Sequence, residues 1–441
     1  LTLGISAYYH DSAAALIDQG NIVAAAQEER FSRVKFDASF PTQAIQFCLE
    51  QAQVDLLDLD EIVFYDKPFL KFDRILETFL AFAPKGFSSF KRSVPTWINE
   101  KLFLKSILIE RLSQLLPNHD KKSVQAHLRN IIRFSEHHLS HAASAFYPSP
   151  FQTAAVLVLD GVGEWATASL FWGEGRTLKQ LKEIQFPHSI GLLYSAFTYH
   201  CGFKVNSGEY KLMGLAPFGS PIYADTIKEH LIHIHDDGSF ELNMSYFGYC
   251  TSLKMTNRKF EKLFGGRARN EDEPIEQKHM DLAASIQAVT EEVLLKMTRQ
   301  LARELPTRNF CLAGGVALNC VANGKILKDR QFENIWIQPA AGDAGGALGA
   351  AYVGYHLSQR SERVVSKSDS MQGAFLGPSF SDDEIQNELL ACGAHFHKQS
   401  DDESLITQTT QLLETGKAIG WFQGRMEFGP RSLGARSILA D

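Results

Sequence analysis

Short apolar runs, each closed by a polar or glycine-bearing turn, open the chain. Residues 1–6 read as a strand, the polar loop 7–12 follows, and residues 13–17 form a second strand. After the tight turn 18–21 a third strand covers residues 22–27. The same order returns roughly 150 residues later: strand 154–159, loop 160–164, strand 166–172, glycine turn 173–175, and a strand near 178–184. A repeat of that period predicts two related α/β halves with a cleft between them.

Helical periodicity fills the intervals. Ala44, Ile45, Phe47, Cys48 and Leu49 mark a first helix. Residues 192–200 form another, stopped at Gly202, and the polar turn 206–211 can cap its successor. The clearest is 281–305, where Leu282, Ile286, Val289, Val293, Met297 and Leu301 fall on one stripe and Pro306 ends it. Strand 310–312 leads into the glycine turn 313–319, expected to open a helix. Strand 335–337 leads into 342–347, expected to open the last helix of this unit.

Residues 68–130 break the pattern. They are rich in Phe, mixed in charge and interrupted by Pro84 and Pro95, and read as a helical insertion. It is either a helix pair packed on the core or a lid or dimer surface. Residues 220–280 carry little signal. The polar stretch 358–372 reads as a linker. A new unit starts at 373, with helices over 379–390 and 403–416, and ends in a Gly- and Arg-rich segment.

Composition bounds the possibilities. With 441 residues the length prior allows about three domains, or two. The chain has 44 basic and 51 acidic residues, a net charge of −7, which argues against bulk nucleic-acid binding. Six cysteines without a CxxC read as reduced thiols and point to the cytoplasm. No apolar run approaches the ~20 residues of a membrane helix. The opening LTLGISAYYHD has no charged n-region, so no signal peptide is expected.

Candidate chemistry centres on residues 137–165. His137 and His141 are four apart with no helix breaker before Pro148, so their imidazoles share a face. Such a pair is often structural. Asp160 at one strand end and Asp343 at another glycine-rich strand end favour a metal, since two His and two carboxylates suit Fe(II), Zn or Mn. A zinc-protease reading fails because His138 stands where HExxH needs its glutamate. Gly161 and Gly163 let backbone amides approach a phosphate, and the Gly314-Gly315 and 342–346 turns precede predicted helices. Four such loops converging on one cleft would suit a nucleotide, although close strand–helix packing also explains the glycines. Glu209 and Lys211 are either solvated or a ribose or adenine contact. Arg425, Arg431 and Arg436, among glycines and apolar residues, form either a forked anion site or an ordinary surface loop.

Taken together, ISAYYHDSAAAL, QEERFSR, HHLSHAASAFYPSPF, LVLDGVGEW, GEYKLMGLAPFG, LAGGVALNCVANGK, GDAGGALGAA and GRMEFGPRSLGARSILAD resemble the NodU/CmcH O-carbamoyltransferases. The resemblance implies a duplicated ribonuclease-H-like domain of the Hsp70/actin/Kae1 type, followed by part of an α+β YrdC-like domain. The first would span 1–357, with halves of about 1–150 and 151–357 and the insertion near 68–130. The second would start at 373 and continue past 441, which puts the activity of the present stretch alone in question.

The implied chemistry has two steps. Carbamoyl phosphate and ATP, with Mg2+, give carbamoyl-adenylate and pyrophosphate in the YrdC-like part. A hydroxyl of a small molecule then takes the carbamoyl group at the Kae1-like site. On this reading His137, His141, Asp160 and Asp343 hold a divalent metal, Fe2+ first, with Zn2+ or Mn2+ as alternatives. Gly161, Gly163, Gly208, Glu209, Lys211, Gly314, Gly315 and Asn319 hold the nucleotide. His10 is the general base near pH 7, oriented by Asp11. Arg425, Arg431 and Arg436 grip the phosphates of carbamoyl phosphate or ATP. Expected partners are a small alcohol and a second copy in a homodimer, with no nucleic acid and no membrane. Two other readings stay open: a tRNA threonylcarbamoyl enzyme of Kae1 type and a non-catalytic nucleotide switch. The net charge speaks against the first, and the second predicts slow ATP hydrolysis without transfer.

Overall fold

Two five-stranded mixed sheets carry the molecule in a computed structural model that describes residues 1–87, 90–91 and 103–441. The first sheet comprises β1 (Thr2–Ser6), β2 (Ala13–Asp18), β3 (Asn21–Gln27), β4 (Glu61–Phe64) and β5 (Ile132–Phe134), in the order β3-β2-β1-β4-β5. The second comprises β6 (Thr153–Leu159), β7 (Ala166–Glu174) and β8 (Thr177–Gln185). After a small hairpin of β9 (Ile232–Ile234) and β10 (Phe240–Leu242), it is completed by β11 (Asn309–Ala313) and β12 (Asn334–Ile337), in the order β12-β11-β6-β7-β8. Each sheet begins as an antiparallel three-strand meander and adds two parallel strands beside the first strand of that meander. The parallel strands β1, β4, β6 and β11 are almost wholly buried, as strands covered on both faces must be. The edge strand β8 instead alternates Lys, Gln and Glu with apolar residues and stays exposed, which blunts edge-to-edge pairing.

Between the sheets lies one helical layer. The His137–Phe146 helix and the Asp343–Tyr352 helix pack against each other and against both sheets. They share a core with Ala13, Ala15 and Ile17 of β2 and with Val156 and Val158 of β6. Small residues make this possible. A Cβ on Gly349 would sit 1.7 Å from the Ser140 carbonyl oxygen, and one on Gly4 would sit 1.8 Å from that of Ala347. The DAGGALGAAY helix is therefore wedged between β1 and the histidine helix, and its first residue, Asp343, arrives beside His137 and His141.

Several sequence expectations need adjustment. The 313–319 turn does not open an α-helix directly: Gly315–Leu318 is a 3-10 turn, and the helix Cys320–Asp329 starts after Asn319, whose side chain caps it through the Ala322 N–H. Among the described residues of the 68–130 segment, the first part stands off the core. Its Pro68–Phe82 helix leaves Phe69 and Leu80 exposed. The later helices Leu104–Ser113 and Lys121–Ile131 bury Leu104, Leu108, Leu112, Val124 and Leu128 in the core of the first sheet. Pro95 lies outside the described residues. Among the described residues, no helix is long and apolar enough to cross a membrane.

The segment after the last central helix is pinned down. Arg363 donates to the carbonyls of Phe146, Tyr147, Ser149 and Phe151, and Met371 and Leu376 enter the central core. Arg363→Ala leaves those carbonyls short of donors and is expected to cost about 2–3 kcal/mol, read as a lower denaturant midpoint. Stability within about 0.5 kcal/mol of wild type would show that water replaces the guanidinium without loss.

Candidate active site

The loops at the ends of β1, β6 and β11, with the N-terminus of the Asp343–Tyr352 helix, meet at one cleft. The His137–Phe146 helix lies buried behind Asp160 and Asp343, which line it. Glu164 fixes the start of that helix: its carboxylate accepts the His137 backbone N–H at 3.0 Å and the Lys67 N–H at 2.8 Å. A carboxylate at a helix N-terminus is favoured by the unpaired amides there. Gly314 has φ +89°, and a Cβ there would lie 2.2 Å from the Leu159 carbonyl oxygen. Only glycine lets β11 turn this close to β6, and the turn sends the Gly315 N–H to Asp160 Oδ1 at 3.1 Å.

Four ligand atoms from His137, His141, Asp160 and Asp343 lie within 4.8 Å of one another. His137 Nε2 is 3.1 Å from Asp160 Oδ2 and 3.1 Å from His141 Nε2. Asp343 Oδ1 is 3.5 Å from His137 Nε2 and 3.6 Å from His141 Nε2. The outer atoms are held as well, since Asp343 Oδ2 accepts from the Tyr65 hydroxyl at 3.3 Å. Burial opposes charging of His137, but the Asp343 and Asp160 carboxylates outweigh it and raise its pKa. Asp160 is held well below the carboxylate range by His137 and His141 despite its burial. Two carboxylates that draw a proton onto His137 form a site whose charge a divalent cation would balance. The two-nitrogen, two-oxygen donor set suits Fe, Mn or Zn.

His138, the third histidine of the run, points elsewhere. Its Nδ1 bonds to the Ser169 hydroxyl at 2.7 Å, and burial together with His137 lowers its pKa to about 3. It is a packed neutral imidazole beside the cluster.

His10 and Asp11 enter from the β1–β2 loop, where Asp11 has φ +52°. Asp11 Oδ2 is 3.1 Å from His10 Nδ1, and His10 Nε2 is 3.8 Å from Asp343 Oδ2. Burial disfavours the imidazolium, but Asp343, Asp11 and Asp160 prevail and push His10 up to about 9. The neutral imidazole expected near pH 7 is thus not the form these carboxylates favour by themselves. Lys71 adds a second cation. Burial would lower it, but Asp66 and Asp343 raise it.

The cleft has an internal volume of about 190 Å³ and opens to solvent. Of the expected nucleotide contacts, Gly161, Glu209, Gly315 and Asn319 line it. Glu209 is fixed by the Ser195 hydroxyl at 2.7 Å and the Asn206 N–H at 3.0 Å, and Asn319 is locked to Gln287. Gly163, Gly208 and Gly314 shape the chain behind the wall without reaching it. Lys211 is exposed outside it, because the Glu209–Leu215 helix turns Tyr210 and Met213 inward instead.

The three arginines do not form one anion site. Arg425 donates to the Leu376 and Gly377 carbonyls, and Arg436 pairs with buried Glu427 at 2.9 Å. Arg431 alone lines the cleft, bonded to the Leu318 carbonyl at 2.8 Å with its guanidinium 5.9 Å from the Tyr210 ring centre. Arg30 of the QEERFSR stretch holds that segment through the Gly429 carbonyl at 2.7 Å. Four further residues of the site, Tyr9, Tyr65, Glu164 and Tyr194, carry no chemical motif of their own. Tyr9 stands beside His10 and Glu164 closes the DGVGE loop, so both lie in stretches with other signals; nothing local marks Tyr65.

Comparison with known proteins gives the following. A family model described as carbamoyltransferase N-terminus matches residues 1–352, and one described as carbamoyltransferase C-terminus matches 410–441. An uncharacterized protein of Synechocystis sp. is 56% identical over 440 residues, covering 100% of this chain and 71% of that protein. The nodulation protein NolNO of Sinorhizobium fredii is 35% identical over 437 residues, covering 98% of this chain and 58% of that protein. Among solved structures, component A of (R)-2-hydroxyglutaryl-CoA dehydratase from Acidaminococcus fermentans aligns with a TM-score of 0.41 at 15% identity, covering 80% of this chain and 96% of that one.

Proposed function

This chain belongs to the carbamoyltransferase family, and from that premise we propose that it is the transfer part of an ATP-dependent O-carbamoyltransferase. The observation that carries the reading is the four-donor cluster, two of whose members, Asp160 and Asp343, line a cleft shared with Glu209, Asn319 and Arg431. In the first half-reaction water releases phosphate from carbamoyl phosphate to leave carbamate, and a carbamate oxygen then bonds to the α-phosphorus of ATP as the bond to pyrophosphate breaks, giving carbamoyl-adenylate. In the second, an alcohol oxygen bonds to the carbamoyl carbon, the bond from that carbon to the AMP phosphate oxygen breaks, and AMP leaves. The alcohol proton passes to His10 Nε2, with Asp11 holding Nδ1. A divalent cation on His137, His141, Asp160 and Asp343 would supply charge for the departing phosphate and offset the carboxylates that otherwise keep His10 protonated. Glu209 and Asn319 fit the nucleoside, and Arg431 fits the phosphate side.

The shared strand order of the two sheets supports a duplicated ribonuclease-H-like unit over residues 1–357. Residues 373–441 would then begin a YrdC-like adenylate-forming module, reached through the segment 358–372. The acceptor is a small-molecule alcohol.

The test supplies the full-length protein with ATP, carbamoyl phosphate and a panel of alcohols, reading pyrophosphate release and carbamoylated product by mass. Absence of pyrophosphate sinks the first step. Because Arg431 faces the transfer cleft, Arg431→Ala is expected to slow AMP release from added carbamoyl-adenylate by roughly 100-fold. Unchanged AMP release with lost pyrophosphate formation would assign Arg431 to the other half-reaction.

A further inference from the structure

A second pocket, of about 260 Å³, adjoins the cleft. The two share Val162 and Leu192, so the Asp160–Glu164 loop is the wall between them. Its other walls come from the Pro68–Phe82 helix and the residues after it, and from the stretches around residues 186 and 249. Aromatic faces dominate. Phe79 and Phe90 stack with ring centres 3.9 Å apart, and Phe186 and Tyr249 lie 6.1 Å apart. The polar groups are unequal in sign. Arg74 and Lys85 line the pocket, and no Asp or Glu does among the described residues. Neither cation has a carboxylate within salt-bridge distance among the described residues. Arg74 donates to the Gly163 carbonyl at 2.9 Å, and its guanidinium lies 5.3 Å from the Phe186 ring centre.

Resting on the proposed function, we infer that this pocket seats the non-reacting body of the acceptor alcohol, and that the acceptor is a ring compound with an apolar face and no positive charge. The position follows from the chemistry. With a nucleotide in the first cleft, the alcohol must reach the carbamoyl carbon from a side that AMP does not fill. The second pocket opens across the loop that carries Asp160, at Val162. The class follows from the lining. Flat aromatic walls suit the hydrogen-bearing face of a sugar or another saturated ring. Two basic groups with no carboxylate among the lining residues attract neutral or acidic molecules and repel amines. An amino sugar would meet Arg74 and Lys85 with no carboxylate in the lining to pair with it.

Direct binding tests this without turnover. Titration calorimetry of the protein at low ionic strength uses three 4-nitrophenyl glycosides: the glucuronide, the glucoside and the 2-amino-2-deoxyglucoside. The expected order is glucuronide, then glucoside, with the amino sugar about tenfold or more weaker than the glucuronide. Lys85→Glu, a surface change that leaves the core untouched, should reverse the order of the charged pair. Thr78→Trp, which fills the pocket from the helix side, should weaken all three.

Tightest binding of the amino sugar, or an order insensitive to Lys85→Glu, overturns the charge assignment. Binding unaffected by Thr78→Trp overturns the location. Pyrophosphate release by the wild-type protein, measured in parallel, separates this inference from the proposed function: its absence defeats the latter while leaving the binding order to stand or fall alone.

Discussion

His141→Ala is expected to remove bound metal and abolish carbamoyl transfer while sparing pyrophosphate release. His141 is 1% exposed and supplies one of the four converging donors, with its Nε2 aimed at His137 Nε2 and Asp343. Alanine suits a helix interior, so the backbone has no reason to leave its place. What changes is the donor set, which falls to one nitrogen and two carboxylates. Loss of an outer-shell partner alone costs roughly 10- to 100-fold in metal affinity, and loss of a direct donor costs at least the upper figure. Metal per chain by elemental analysis and AMP release from carbamoyl-adenylate are the two readouts. Wild-type metal content and wild-type transfer together would show that the cluster is not the centre of the chemistry. Loss of pyrophosphate release as well would mean that the two half-reactions are not divided between modules as proposed.

Gly349→Ala is expected to destabilise the fold by about 3 kcal/mol and to lower metal content with it. In most helices this exchange is favourable by up to ~1 kcal/mol. Here the added carbon would lie 1.7 Å from the Ser140 oxygen and 2.9 Å from the Ser144 nitrogen, both backbone atoms of the histidine helix. No rotamer relieves a backbone clash, so the helices must part. Ser140 lies between His137 and His141 in the chain, and Asp343 starts the helix that carries Gly349. Separation therefore pulls the metal donors apart. Gly324→Ala is the control. It too lies in a helix, a Cβ there meets nothing within 4 Å, and the exchange should be neutral or stabilising. Denaturant midpoints and metal content measure both. A Gly349→Ala protein as stable as the control would show that the central layer can open without cost.

Much of the framework was legible because it is local. The two meanders announce themselves by short apolar runs and turn residues, and the helix over residues 281–305 by its stripe; the structure extends it to Gln277–Glu304. Strands β4 and β5 leave no such local mark. They have four and three residues, too few for either period to register, and only pairing beside β1 makes them strands. Residues 104–131 looked like part of an insertion because their apolar positions are interleaved with charge. Their burial depends on the sheet they lean on.

The histidine spacing, the carboxylates at chain turns and the glycine-rich helix start were all determined by the sequence, since each is a matter of neighbours a few residues apart. Which of the marked residues face one another was decided only by the tertiary structure. It brought Asp343 to His137 across more than two hundred residues, because a helix of small side chains can pass between β1 and the histidine helix. It separated the three arginines, because Glu427 and two backbone carbonyl groups engage Arg436 and Arg425 and leave Arg431 at the cleft. It turned Lys211 outward and Tyr210 inward, because the helix that follows Gly208 presents only one side to the site. Residue type sets what a group can do, and packing sets what it can reach.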